Sequence, residues 1–133
     1  MKPYSSWVTF VVTVLAAVAL IAACGSVPAT RAVAEEVTIN DQDASKHVGE
    51  HVGVQGVVAD VFISGRGDIF LNFGNRYPQQ TFTAVIFRSS AGLFDNPAQW
   101  KGREVIVRGT IKLYKGRPEI ILKDPSQLSS VKQ

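Results

Sequence analysis

Five runs rich in β-branched and aromatic residues lie between Val52 and Lys123, punctuated by glycine, asparagine and proline. This spacing constrains the chain most, because such runs with turn residues between them fold as an all-β sandwich or barrel. The first run, Val52–Ile63, is long, and its apolar alternation slips near Gly56-Val57-Val58, which predicts a bulge or bend. Ser64-Gly65-Arg66-Gly67 is a turn. The second run is Ile69–Phe73, closed by Gly74-Asn75 and Tyr77-Pro78, and the third is Phe82–Phe87. Ser89–Trp100 reads as a helical insert in which Asn96-Pro97 restarts a turn and Gly102 ends it. The fourth run, Glu104–Tyr114, sorts Val105, Val107, Gly109, Ile111 and Leu113 onto one face and Arg108, Thr110, Lys112 and Tyr114 onto the other. Lys115-Gly116-Arg117 is a tight hairpin turn into the last run, Pro118–Lys123. A short helix at Asp41–Val48, stopped by Gly49, precedes the first strand.

Five strands, the first long and bent, with a short helix between the third and fourth, follow the order of the OB-fold. That barrel binds ligands on strands 2–3 and in the loops after strands 1 and 4. A barrel this small is filled by single layers of Val, Ile, Leu and Phe. The pieces Val48-Gly49, Val54-Gln55-Gly56-Val57-Val58, Phe70-Leu71-Asn72-Phe73-Gly74, Tyr77-Pro78, Phe82-Thr83-Ala84-Val85-Ile86-Phe87, Gly109-Thr110-Ile111, Tyr114-Lys115-Gly116-Arg117-Pro118-Glu119-Ile120 and Asp124-Pro125-Ser126-Gln127 resemble a widespread group of small bacterial OB-fold domains. Members are described as nucleic-acid-binding or of unknown function, and some are appended to exported nucleases. The resemblance spans Asn40 to Gln127. It implies a fold and a ligand class, and no catalytic residue, because one fold hosts many functions.

Ahead of this domain, the apolar run Trp7–Ala23 ends in the chain's single cysteine, within Ile21-Ala22-Ala23-Cys24. Lys2, the apolar middle and the small residues before Cys24 are the parts of an export signal. An aliphatic residue, two small residues and a cysteine resemble the lipobox of bacterial lipoproteins. That resemblance implies cleavage before Cys24, lipidation of its thiol with palmitate-type chains, and an extracytoplasmic, membrane-anchored protein of the cell envelope. The alternative is an uncleaved anchor, since this run of 17 residues stands at the lower limit for crossing about 30 Å of hydrocarbon. The expected organisation is a signal peptide at 1–23, a lipidated tether at 24–38, an OB-fold domain at 39–128 and a tail at 129–133.

Charge is unevenly spread. Residues 24–63 carry a net −4 and residues 64–123 a net +6. The second figure favours an anionic ligand but is weaker than the footprint of a strong duplex-DNA binder. Basic groups interleaved with aromatics suit single-stranded nucleic acid, where cations neutralise phosphates and rings stack on bases. The candidates are Arg66 in the first loop, Phe70 and Asn72 on one face of strand 2, Arg76 and Tyr77 in the next loop, Arg108, Lys112 and Tyr114 on strand 4, and Lys115 and Arg117 at the fourth loop.

Catalysis and metal binding find little support. His47-Val48-Gly49-Glu50-His51 has the H-x-x-E-H spacing of some zinc peptidases, but Gly49 interrupts the helix that this motif needs and no third histidine exists. Arg66-Gly67-Asp68 lies in a glycine-rich turn, where such residues serve the turn itself. The expectation is a non-enzymatic binding module without metal or cofactor. Its partner is single-stranded nucleic acid or, alternatively, an envelope protein, peptide or glycan.

Overall fold

The computed structural model describes residues 35–132; Cys24, the rest of the signal and the tether up to residue 34 lie outside them. Among the described residues no helix is long and apolar enough to cross a membrane. The strands are β1 (Thr38–Asn40), β2 (His51–Ile63), β3 (Ile69–Phe73), β4 (Phe82–Ile86), β5 (Glu104–Thr110), β6 (Lys112–Tyr114), β7 (Arg117–Ile121) and β8 (Leu128–Ser130). One helical turn, α1 (Arg88–Ala91), and 3-10 segments at Asp41–Lys46, Pro97–Trp100 and Pro125–Gln127 complete the domain.

Hydrogen bonding joins the strands in the order β6-β7-β4-β3-β2-β5-β8, with β1 parallel to β2. Within that order, β7-β4-β3-β2-β5 is the strand sequence of an OB-fold, including its parallel pairing of β4 with β7. Two expectations are corrected. Among the described residues the sheet has eight strands rather than five, and no hydrogen-bonded ladder closes it. The extra strands come from the two flanks of the domain and from a break. β1 and β8 add to the edges of β2 and β5, and the single long strand expected at Glu104–Tyr114 is divided at Ile111, which is buried at the corner between β5 and β6. That corner also turns Leu113 outward, against its expected place beside Val105 and Val107 in the core.

The slip in the β2 pattern is a register shift against β3 between Val58 and Asp60. A bulge leaves backbone groups without ladder partners, and buried ones must be satisfied elsewhere. Val58 N–H donates to the Arg103 carbonyl at 3.0 Å, and its carbonyl accepts from Gly102 N–H at 2.7 Å. The end of the insert between β4 and β5 thus docks where β2 bends. Phe94 from that insert joins the core at one place and Ala44 from the first 3-10 segment at another. Phe73 and Phe82 meet edge-on at 5.2 Å between them, fully buried with Leu71, Ile86, Ile120 and Leu122.

The sheet edges β5 and β7 approach by packing. Gly109 faces Ile120, and Gln127 bridges the gap: its Nε2 donates to the Arg108 carbonyl at 3.0 Å, while its Oε1 accepts from Lys123 and Asp124 N–H. The Asp124 carboxylate accepts from Ser126 N–H and completes a capping box with Gln127. This bond to the charged form holds the Asp124 carboxyl below the usual carboxylate range.

Candidate ligand-binding groove

Side chains that alternate away from the core on β2, β3, β4, β7 and β6 lie in register across the sheet. One rung reads Asp60, Asn72, Thr83, Glu119, Lys112, and the next reads Phe62, Phe70, Val85, Ile121. A groove of about 500 Å³ opens over the Asp60–Glu119 stretch of the first rung and the Phe62–Phe70 end of the second, lined by Asp60, Phe62, Phe70, Asn72, Thr83, Glu119 and Pro118, with Arg76, Tyr77 and Gln80 from the β3–β4 loop and Tyr114 and Arg117 from the β6–β7 hairpin. The volume lies in the range of small-ligand sites.

The rim is aromatic and open. Tyr77, Tyr114 and Phe62 are 73, 59 and 56% exposed, and the Phe62 and Phe70 rings lie 6.1 Å apart. The floor is polar and ordered. Asn72 is 3% exposed and accepts from the Thr83 hydroxyl at 3.3 Å; Gln80 donates to the same hydroxyl at 3.4 Å. The Glu119 carboxylate accepts no hydrogen bond among the described residues, and half-burial raises it above the usual carboxylate range against the opposing pull of Lys112. Asp60 has Lys101 Nζ at 3.7 Å.

The β6–β7 hairpin closes one side of the groove. Tyr114 pairs with Arg117 across Lys115 and Gly116, both at positive φ, a two-residue turn that matches strand twist. Arg117 reaches back to donate to the Pro78 carbonyl and to Gln80 Oε1, with the Tyr77 ring 6.0 Å from its guanidinium carbon. It therefore pins the β3–β4 loop and holds Tyr77 at the mouth.

Of the residues expected from sequence, Phe70, Asn72, Arg76, Tyr77, Tyr114 and Arg117 converge on the groove. Arg66, Arg108, Lys112 and Lys115 do not line it. Arg108 was expected beside Lys112 and Tyr114 on one strand; the break at Ile111 separates them, and Arg108 instead binds Glu36 at 2.7 Å and Ser129 at 2.8 Å. Lys112 is the outer member of the polar rung, opposite Glu119. Lys115 folds over Tyr114 with Nζ 5.4 Å from the ring centre. Arg66 stays exposed at the tip of the β2–β3 loop, whose Asp68 accepts from Arg88 N–H at the start of α1.

Asp60, Phe62, Gln80, Thr83, Pro118 and Glu119 are lining residues that the sequence reading missed. Alternation from Pro118, Ile120 and Leu122 already places Glu119 outward. Phe62 required the hairpin register, because only its pairing with Phe70 sets its face after the bulge.

The two histidines of the H-x-x-E-H segment diverge, His47 bonding to Glu50 and His51 lying 3.4 Å from Thr110. Among the described residues no group of three or more His, Cys, Asp or Glu is placed to hold a metal ion.

No protein-family model and no curated protein matches the chain. Solved structures do. A Leishmania major protein described as an aspartyl-tRNA synthetase superposes with a TM-score of 0.53 at 13% identity, over 78% of this chain and 22% of that one. The Entamoeba histolytica asparaginyl-tRNA synthetase gives 0.51 at 15% identity, over 73% of this chain and 23% of that one. The chain thus spans less than a quarter of either. At these identities the likeness shows the fold: residues 35–132 form an OB-fold-type β domain.

Proposed function

We propose that this domain is a non-catalytic binding module whose groove takes single-stranded nucleic acid. The observation that carries the reading is the convergence of Phe70, Tyr77 and Tyr114 with Arg76 and Arg117 around one polar floor. Rings of this kind stack on bases of any sequence, and arginines at the rim meet the phosphates. The fold likeness to two aminoacyl-tRNA synthetases supports the same ligand class. Cys24 at the end of its apolar run supports attachment by lipid to a bacterial membrane, with the domain facing outside the cytoplasm.

The test is fluorescence anisotropy of the purified full chain with a labelled single-stranded oligonucleotide at low salt. Saturable binding, competed by unlabelled strand, is expected; no binding at low salt removes the reading.

A second reading has its own observation. Asp60 and Glu119 balance Arg76 and Arg117, so the groove lining carries no net charge, which also suits an envelope glycan, peptide or protein. Recovery of one partner from solubilised envelopes, unaffected by nuclease, would favour it.

A further inference from the structure

We propose that Glu119 makes the groove selective for guanine among the bases of a single strand. The inference rests on the nucleic-acid reading above and assigns a specificity to the same site.

The polar rung offers mostly groups already engaged. Asn72 Oδ1 and the Thr83 hydroxyl are joined to each other, and Gln80 adds a second contact to that hydroxyl. Asp60 lies at the far end of the rung and faces Lys101. Glu119 differs. Its carboxylate stands half-buried in the groove wall, with no hydrogen bond to it among the described residues and no ion pair to Lys112, its neighbour across the β6–β7 ladder. A carboxylate removed from water is costly unless hydrogen-bonded. A ligand that supplies donors here therefore gains more than one that does not, and a ligand that presents acceptors is repelled.

Base chemistry then discriminates. A carboxylate is acceptor-only and binds best to two parallel donors. On its pairing edge guanine carries adjacent N1–H and N2–H donors, which match the two oxygens. Adenine and cytosine each offer one amino donor beside an unprotonated ring nitrogen, and thymine offers one N–H between two carbonyls. Phe70 and Tyr114 line the same groove and supply the faces on which a base stacks while its edge meets Glu119.

The experiment titrates the full chain with oligothymidylate strands carrying one central guanine, adenine, cytosine or thymine, for the native protein and for Glu119→Gln. The native protein is expected to prefer the guanine guest by roughly tenfold, the discrimination of a good bidentate contact. Glu119→Gln is expected to reduce the guanine-to-thymine affinity ratio toward one, whereas Asp95→Asn, on the surface of the insert, keeps the native ratio. Equal affinities for all four guests in the native protein would overturn the guanine assignment and leave the nucleic-acid reading standing. A guanine preference that persists in Glu119→Gln would overturn the role of Glu119. No binding of any strand would remove both.

Discussion

Gly109 of β5 stands so close to Ile120 of β7 that a β-carbon at position 109 would lie 2.6 Å from Ile120 Cγ2. The backbone of Gly109 needs no unusual dihedral, so its missing side chain is a matter of space. This contact, with Gln127 beside it, holds together the two sheet edges that no ladder joins.

Gly109→Ala should therefore cost about 1–3 kcal/mol by overpacking a fully buried neighbour. Ile120→Ala alone should cost about 2–5 kcal/mol through its cavity. The double variant should lose less than the sum of the two, because the alanine methyl at 109 enters the space that Ile120 vacates. Urea unfolding of the three variants checks this; strict additivity would contradict the seam.

Gln127→Ala should destabilise by about 1–2 kcal/mol, since it strips the partner from the Arg108 carbonyl and undoes the cap at Asp124. Hydrogen exchange should show β8 opening more readily than β3, as β8 pairs only with β5.

Phe70→Ala should weaken oligonucleotide binding by about 5- to 150-fold, the equivalent of roughly 1–3 kcal/mol for one stacked base. Phe70 faces the groove rather than the core cluster, so its loss should move the thermal midpoint less than Phe73→Ala does. Anisotropy and melting curves on the same samples separate the two effects.

Salt dependence should be shallow. Among the described residues only Arg76 and Arg117 line the groove as cations, so log affinity against log salt should fall with a slope between about −0.7 and −1.4, one or two phosphates' worth for a single strand. A slope several times steeper would mean that the basic residues outside the groove carry the strand.

Glu119→Gln should raise stability at neutral pH. The native carboxyl is held above its ordinary range by burial, so the folded state takes up its proton more readily than the unfolded chain. The stabilising contribution is present below the unfolded value and lost as pH rises through the folded one. The advantage of the glutamine variant should therefore shrink as pH falls through the carboxylate range. Paired melts across that range check the sign.

The strand order was legible because alternation, glycine turns and the slip in β2 are local signals. Ile69–Phe73 is a strand with the expected bounds, and the slip at Gly56–Val58 lies beside the observed register shift. The extra strands were not legible, because β1 and β8 are three residues each and exist through pairing with β2 and β5. The same limit explains the site. Phe70 and Asn72 share a face by period two, whereas Arg108 was misplaced by a corner at Ile111 whose cause is tertiary. Asp60, Thr83 and Glu119 became neighbours only through sheet register.

On the proposed reading nucleic acid lies over the Asp60–Glu119 rung and the Phe62–Phe70 pair beside it. The most direct measurement is photo-crosslinking of a single strand carrying bromodeoxyuridine to the full chain, with the attached residues mapped by mass spectrometry. Crosslinks at Phe70, Tyr77 and Tyr114 are predicted. Crosslinks confined to Arg66, Arg108 or other residues outside the groove would contradict it.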